Sequence, residues 1–421
     1  MTNSPVWHPF TQHAVEPAMP RVTLTEGAYL HTADGHKILD AVSSWWVVTH
    51  GHRHPKIVEA IRTTALTLDQ VIFAGFTHEP AEQMAKTLIE FAPKGLTRVF
   101  YSDSGSTAVE VALKMALGFH KNNGAARSRI IVMEHSYHGD TIGTMSAGER
   151  GVFNAAYQPL LFDVDTIPFP AAGREQQTFD RLEALTRDRK AAALIVEPLV
   201  LGAGGMLMYP ASVLAEMKRI VEISGTLLIA DEVMTGWGRT GTLFACEQAQ
   251  ITPDILCTSK GLTGGVVPLA ATLASEAIFQ AHYSTDRSRT FFHSSSYTAN
   301  PIACAAALAN VEIWRDEPVM ARIKSLSKIH TEHLRRFENN AHFENMRSTG
   351  TIAALDLRVS STGYLSEVGP KLRTFFMQRE LLIRPLGNTI YLLPPYCVTP
   401  AEIERLYNAI EEAGEIFGQH P

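Results

Sequence analysis

The chain has 421 residues, of which 45% are hydrophobic and 19% are charged, an ordinary composition for a globular protein with its own core. Its formal net charge is −6 and it contains no run of lysines or arginines, which argues against nucleic acids and anionic membranes as partners. The length favours two or three domains.

Signals for another compartment are missing from the sequence. The four cysteines form no Cys-x-x-Cys pair and suggest no disulfide framework. The segment MTNSPVWHPFTQH has no charged start followed by an apolar stretch, unlike a secretory signal. The most apolar stretch, at 191–209, is interrupted by Glu197, Pro198 and several glycines and is too broken to span a bilayer. We therefore expect a cytoplasmic enzyme.

Short apolar runs alternate with helical patterns through the middle of the chain. Helical periodicity follows the run at 98–103 and separates the run at 191–198 from the run at 226–233. This alternation predicts an α/β fold whose sheet is mostly parallel and covered on both faces. The predicted strands are 98–103, 129–135, 191–198, 226–233, 254–260 and 268–275.

Both ends of the chain differ from the middle. The first sixty residues contain short polar strands and turns, and long helical stretches begin after about residue 305. The segment 383–396 is typical of two strands joined by a turn at Gly387–Asn388. We predict a large domain at 61–305 and a smaller α/β domain assembled from 1–60 and 306–421.

Three groups of candidate functional residues follow predicted strands, where ligands bind in open α/β sheets. The segment Ser104–Ser106 opens a helix and can hold a phosphate, although taken alone such a segment is more often an ordinary helix cap. Asp231 and Glu232 could hold a cation or a protonated ring nitrogen, or form a buried salt bridge. Lys260 precedes a glycine-rich segment and could be a desolvated nucleophile, or a surface lysine.

Two further patterns allow a functional and a structural interpretation. His50, His52 and His54 alternate along the chain, but their spacing matches no common metal motif and no carboxylate cluster lies nearby. We therefore expect no metal site. Trp45 and Trp46 could form the wall of a substrate pocket or belong to the core.

The order of the three groups indicates one cofactor. A phosphate-binding turn, an acid and then a lysine 29 residues later are what pyridoxal phosphate requires. Its phosphate needs N–H donors, its ring nitrogen needs a carboxylate, and its aldehyde needs a lysine.

The motifs LLIADEVMTGWGRTG (227–241) and PDILCTSKGLTGG (253–265) resemble those of class III aminotransferases of fold type I, and the resemblance runs nearly end to end. Other segments narrow it to the branch that acts on 8-amino-7-oxononanoate in biotin synthesis, with S-adenosylmethionine as the expected amino donor. The segments are WHPFTQ (7–12), SSWWVVTHGHRHP (43–55), SDSGSTAVEVALKMAL (102–117), SYHGDT (136–141), FACEQAQITPDILC (244–257) and IRPLGNTIYLLPPY (383–396).

The resemblance implies catalytic and cofactor-binding roles for particular residues. Lys260 would bind the cofactor covalently and move the transferred proton, Asp231 would pair with the pyridine nitrogen, and Tyr137 would stack on the ring. Gly105 and Ser106 would hold the phosphate.

The resemblance also implies a homodimer with its active site at the subunit interface, in which Ser296 of the partner subunit completes the phosphate site. Arg384 would bind the oxo-acid carboxylate, and Asp140 would lie near the amino donor. The remaining substrate-binding residues would be Phe10, Trp45, Trp46 and Tyr391.

Three positions depart from the pattern of this branch, and other functions stay open. Ser296 stands where Thr is usual, Leu201 where Gln is frequent, and Phe10 where the best-known pattern has Tyr.

One alternative is a class III aminotransferase of the β-alanine or amine:pyruvate type. Ala203 argues against the ornithine and aminobutyrate types, which resemble each other in having a Glu near that place. Another alternative is a catalytically silent cofactor-binding protein on the same fold.

Overall fold

The computed structural model describes residues 4–16 and 19–419, so residues 1–3, 17–18 and 420–421 of the predicted smaller domain lie outside it. The strands are β1 (Val22–Glu26), β2 (Tyr29–Thr32), β3 (Lys37–Asp40), β4 (Leu96–Ser102), β5 (Arg129–Met133), β6 (Asp165–Ile167), β7 (Ala191–Val196), β8 (Val200–Leu201), β9 (Leu207–Met208), β10 (Leu227–Asp231), β11 (Ile255–Thr258), β12 (Ala270–Ser275), β13 (Phe343–Thr349), β14 (Ile352–Leu357), β15 (Leu381–Leu382) and β16 (Thr389–Leu392).

The α-helices are α1 (Ser43–Trp46), α2 (Pro55–Ala65), α3 (Glu79–Phe91), α4 (Gly105–Asn122), α5 (Ile142–Ser146), α6 (Glu175–Thr186), α7 (Ala211–Ser224), α8 (Glu276–His282), α9 (Pro301–Asp316), α10 (Val319–Leu334), α11 (Val368–Met377) and α12 (Pro400–Phe417). Single 3₁₀ turns occur at Ala155–Leu160, Ala245–Glu247, Lys260–Thr263, Arg287–Arg289 and Arg335–Phe337.

A seven-stranded sheet occupies the middle of the chain, in the order β4-β12-β11-β10-β7-β5-β6. The neighbouring pairs from β11 to β6 are parallel, whereas β12 runs antiparallel to both β11 and β4. All six predicted strands are present, so the prediction of a mostly parallel sheet is confirmed.

Both faces of this sheet are covered, as its apolar strands require. Along β7, Ala193 and Ile195 pack with the helix α4, while Leu194 and Val196 pack on the other face with the helix α7. Every residue of β7 and β10 is buried. Helices on both faces leave the carboxyl ends of the strands free to form a site.

Residues from both ends of the chain share a second core. The strand β15 pairs in parallel with β3, so one small sheet, β1-β2-β3-β15, combines the two ends. A core cluster also joins Leu39 near the start of the chain to Phe376 and Tyr407 near its end. This confirms a smaller α/β portion assembled from both termini, while the predicted domain boundaries stay a prediction.

The predicted pair of strands at 383–396 is only partly correct. The turn forms, because Gly387 has φ +64° and an antiparallel bridge joins Leu386 to Thr389. The strand on one side is β15, which ends at Leu382 and pairs with β3, whereas β16 pairs with β14 in another sheet. The two strands therefore serve different sheets, and 383–388 crosses between them with Arg384 on the connection.

Candidate active site

A cavity of about 220 Å³ lies where the carboxyl ends of the parallel strands meet the segments from both chain ends. Most of the site residues predicted from the sequence line this cavity. They are Phe10, Trp45, Trp46, Ser104, Gly105, Ser106, Tyr137, Asp231, Lys260, Arg384 and Tyr391. The sheet topology thus brings together residues that are up to 381 positions apart.

Lys260 follows β11 and reaches this cavity, with its Nζ 4.9 Å from the centre of the Trp46 ring. Burial lowers the pKa of Lys260 from its ordinary value, and the negative charges of Asp231 and Glu197 partly oppose this shift. A lysine with a lowered pKa has a larger neutral fraction at a given pH, and the neutral amine is the nucleophilic form.

The acidic pair at the end of β10 separates into two roles. Asp231 lines the cavity, and its Oδ2 lies 2.8 Å from Nδ1 of the buried His138. Glu232 points away into the protein, where its carboxylate accepts hydrogen bonds from Thr235 Oγ1 and from the backbone N–H groups of Ala245 and Cys246. Asp231 is therefore the acid available to a ligand, and Glu232 organises the following loop.

The segment Ser104–Ser106 begins α4, a helix of 18 residues. Ser104 caps this helix, because its Oγ accepts from the backbone N–H of Thr107 at 3.2 Å, so the structural interpretation holds for its hydroxyl. Gly105 packs closely on the segment that follows β10, since a Cβ there would lie 2.6 Å from a methyl carbon of Val233. The helix N-terminus opens into the same cavity as Lys260, and its N–H groups favour an anion.

Two buried residues that the sequence predictions missed contact the predicted site residues, Glu197 at Tyr137 and His138 at Asp231. Glu197, which follows β7, accepts hydrogen bonds from the backbone N–H groups of Tyr137 and Gly202, both at 2.9 Å. Burial raises the pKa of Glu197 to about 7. His138 binds Asp231 and belongs to the quoted motif SYHGDT, so its neighbours in sequence were the available signal.

The segment around Trp45 and Trp46 has an unusual backbone. Ser43, Ser44 and Trp46 have φ values of 52°, 59° and 64°, a left-handed region that costs non-glycine residues of order 1–3 kcal/mol each. Trp46 is held by a hydrogen bond from its Nε1 to the Tyr391 hydroxyl at 2.9 Å. Trp45 lies at the cavity mouth, where it is 44% exposed, and both tryptophans line the cavity.

Arg384 faces Trp45, with its guanidinium carbon 4.9 Å from the ring centre. Its Nη2 lies 3.5 Å from the backbone carbonyl oxygen of Phe10, and no ion pair joins it to a carboxylate in 4–16 or 19–419. An arginine stacked on an aromatic ring with its donors available can bind a carboxylate in a bidentate manner.

Three positions singled out from the sequence lie outside this cavity. Asp140 lines an adjacent cavity, and its backbone N–H donates to Ser106 Oγ at 3.3 Å. Ser296 is exposed, and its carbonyl accepts a hydrogen bond from Gln70 Nε2. Leu201 is buried in the core next to β7, so this departure affects packing and not the cavity lining.

The alternating histidines have separate structural partners. His50 bonds to Asn310, His52 to Asp40, and His54 to Glu317. Within the residues described, no group of three or more His, Cys, Asp or Glu side chains could hold a metal ion.

The cavity fits pyridoxal phosphate by the chemistry of its donors. Lys260 can bind the aldehyde, Asp231 can pair with the ring nitrogen, and Gly105 and Ser106 at the start of α4 can hold the phosphate. Tyr137 lies at the same cavity and can cover the ring. When bound, this cofactor supplies an electron sink for the carbon that loses a proton.

The fold and site define an aminotransferase, and the comparison with known families agrees. The model of the class III aminotransferases matches residues 10–413, and the chain therefore belongs to this family, whose cofactor is pyridoxal phosphate. The adenosylmethionine-8-amino-7-oxononanoate aminotransferase of Synechococcus elongatus is 48% identical over 415 residues, which are 97% of each chain. The enzyme of the same name from Nitratidesulfovibrio vulgaris is 39% identical over 97% of this chain and 80% of its own.

Solved structures of similar proteins support the same class. The adenosylmethionine-8-amino-7-oxononanoate aminotransferase of Methanocaldococcus jannaschii has a TM-score of 0.93 at 33% identity, covering 98% of this chain and 97% of its own. An amine transaminase from an uncultivated Pseudomonas species, in its PLP-bound form, has a TM-score of 0.92 at 31% identity and covers 99% of each chain. The predictions of fold type I, aminotransferase activity and cofactor are confirmed.

Proposed function

We propose that the enzyme transfers an amino group to 8-amino-7-oxononanoate to give 7,8-diaminononanoate in biotin synthesis, with S-adenosylmethionine as the donor. One observation carries the proposal. The available guanidinium of Arg384, the exposed ring of Trp45 and the amine of Lys260 meet in one cavity that also contains Asp231. The 48% identity to an enzyme named for this reaction supports the choice of acceptor.

Lys260 and Asp231 divide the chemical work. Burial lowers the pKa of Lys260 and so favours its neutral amine, whose Nζ would hold the proton that the substrate carbon loses. Asp231 would pair with the ring nitrogen of the bound cofactor, and His138 orients its carboxylate through the 2.8 Å contact.

Arg384 and the tryptophans orient the acceptor. The guanidinium would bind the carboxylate at one end of the oxo acid, and the apolar chain would lie along Trp45 and Trp46. Binding the carboxylate far from the reacting carbon fixes the orientation of a long substrate, which lowers the entropy loss in the reaction.

On the same resemblance we propose a cytoplasmic homodimer with domain boundaries at 60/61 and 305/306. Ser296 of the partner subunit would complete the phosphate site, since Ser296 is exposed and lies outside the cavity of its own chain. The neighbouring Phe292 and Tyr297 are 70% and 63% exposed, as expected for residues that a partner covers. In the part of the chain that the structure describes, none of the helices has the length and hydrophobicity to cross a bilayer.

Half-reactions test the proposal. The cofactor-loaded enzyme is mixed with S-adenosylmethionine, lysine, alanine, glutamate or β-alanine, and the change in cofactor absorption is followed. The amine form is then mixed with 8-amino-7-oxononanoate or pyruvate. We expect fast conversion by S-adenosylmethionine and fast return with 8-amino-7-oxononanoate. Return with pyruvate alone would favour the amine:pyruvate type, and no spectral change with any substrate would indicate a catalytically silent protein.

A further inference from the structure

A second cavity, of about 310 Å³, lies against the active-site cavity of about 220 Å³. It is larger than its neighbour, and none of the functions assigned above uses it as a whole. The residues that line both cavities, and so form the wall between them, are Tyr137, His138, Gly139, Phe153, Ala203 and Tyr364.

Aromatic rings make up much of this wall. The rings of Phe153 and Tyr364 pack edge to face, with centroids 4.6 Å apart and an interplanar angle of 66°. Phe153 also contacts the rings of Tyr137 at 6.3 Å and Phe10 at 6.1 Å. Ring contacts of this kind fill space but form no hydrogen bonds between the partners, so one ring can rotate without leaving a polar group unpaired.

Tyr364 lies on the connection between β14 and α11, which is largely exposed. Residues 360–363 are exposed, and the next side chain, Leu365, is 75% exposed. Gly363 has φ +88°, and its backbone N–H donates to Asn388 Oδ1 at 3.3 Å, next to the turn that follows Arg384. Tyr364 can therefore move with a surface loop that is attached to the substrate-binding segment.

The volumes indicate that a large substrate needs both cavities. Pockets that bind drug-sized ligands measure about 300–1,000 Å³. The active-site cavity is smaller than this even before the cofactor takes its share. The two cavities joined fall inside the range, and the aromatic wall lies between them.

The second cavity favours a positive charge. Asp140 and Glu149 line it, and none of the described residues that line it is a lysine or an arginine. Glu149 Oε2 lies 3.2 Å from Nδ1 of His135, which leaves the carboxylate's other oxygen for a ligand. Ser136 is 5% exposed, and its Oγ has no partner within the described ranges, so a polar group in the cavity would have a hydroxyl to bind.

We propose that the second cavity receives the distal, positively charged part of the amino donor, and that Tyr364 and Phe153 determine which donors reach it. The inference rests on the proposed transaminase function and names its donor class. Such donors carry a second cationic group at a distance from the reacting amine, as a sulfonium nucleoside or a long diamino acid does. A small donor such as alanine needs only the first cavity.

Substitution of Tyr364 tests the wall. Donor half-reactions of the holoenzyme are measured with alanine, lysine and S-adenosylmethionine for Tyr364→Ala and Tyr364→Trp, with Leu365→Ala as the control in the same loop. Tyr364→Ala should raise the kcat/KM ratio of each large donor to alanine about tenfold, which corresponds to about 1.4 kcal/mol. Tyr364→Trp should lower the ratio, and Leu365→Ala should not change it. Unchanged ratios in both Tyr364 variants would overturn the proposal.

The charge is tested separately with lysine and norleucine, which differ in the distal ammonium. Glu149→Gln should lower the use of lysine about two- to fivefold relative to norleucine, the range for a partly exposed charge pair. The dissociation constants of lysine and norleucine are then measured in the Lys260→Ala variant with and without Glu149→Gln. The same two- to fivefold loss for lysine relative to norleucine would show that the effect is on binding. Equal effects on both amino acids would overturn the proposal that this cavity binds a cation.

The acceptor half-reaction separates this inference from the proposed function. If the parent returns to its starting form with 8-amino-7-oxononanoate while the donor ratios do not respond to Tyr364, the function stands and the inference is wrong. If the parent fails with that acceptor but the donor ratios respond as expected, the inference stands and the proposed acceptor is wrong.

Discussion

Removal of the Asp40 carboxylate should release the strained segment that positions the two tryptophans. Asp40 is completely buried, and its carboxylate accepts hydrogen bonds from the backbone N–H groups of Val42 at 3.2 Å and Ser44 at 2.7 Å. It also lies 2.9 Å from His52 Nε2. Asp40, the last residue of β3, therefore joins this strand to the backbone of the strained segment.

The expected magnitude follows from these contacts. Loss of one partner from a buried, charged hydrogen-bond network costs about 3–5 kcal/mol. Three residues of the segment also have left-handed φ values, which persist only while the surroundings enforce them. We therefore expect Asp40→Ala to lower the free energy of unfolding by about 3–5 kcal/mol and to raise the KM for the oxo acid, because Trp45 and Trp46 lose their positions.

Urea unfolding and steady-state kinetics together measure both effects. Asp40→Asn keeps one oxygen for the Ser44 N–H and should lose less stability. Asp34→Ala, at a side chain that is 70% exposed on the preceding turn, should not shift the unfolding midpoint. A loss below about 1 kcal/mol for Asp40→Ala, within the ordinary range for a single substitution, would refute this explanation of the strained segment.

Three further substitutions test separate parts of the site. Asp231→Asn should keep the cofactor but slow proton transfer sharply, and single turnover at the parent rate would show that Asp231 is not the partner of the ring nitrogen. Arg384→Lys should raise the oxo-acid KM and spare half-reactions with donors that it does not bind, since lysine lacks the planar bidentate grip; equal loss for every substrate would indicate a structural role. Phe10→Tyr should improve the use of S-adenosylmethionine by at most about tenfold, the effect of one hydrogen bond, and a larger gain would require another cause.

Much of the sheet could be predicted because its strands are uniformly apolar. The residues of β7 and β10 face helices on both sides, so every position except the terminal Asp231 is hydrophobic and the run is visible in the sequence. Asp231 and Lys260 are candidates for the opposite reason, because a buried carboxylate or ammonium is costly unless it is paired, and the structure places both at the cavity.

Features that depend on distant contacts could not be predicted. Phe153 and Tyr364 lie on irregular connections, and nothing in their local sequence indicates that they meet at the cavity. The different roles of Asp231 and Glu232 depend on His138, which is 93 residues from Asp231, and on the loop at Ala245, which is 13 residues after Glu232. The pair of strands predicted at 383–396 failed because β15 finds its partner in β3, more than 340 residues earlier.

The identity of the lysine that binds the cofactor tests the central claim most directly. The cofactor-loaded enzyme is reduced with borohydride, digested, and the labelled peptide is mapped by mass spectrometry. Lys260→Ala and Lys121→Ala, an exposed lysine near the end of α4, are treated in parallel. The label should lie on Lys260 in the parent and in Lys121→Ala, and it should be absent from Lys260→Ala. A label on any other lysine of the parent would contradict the site described here.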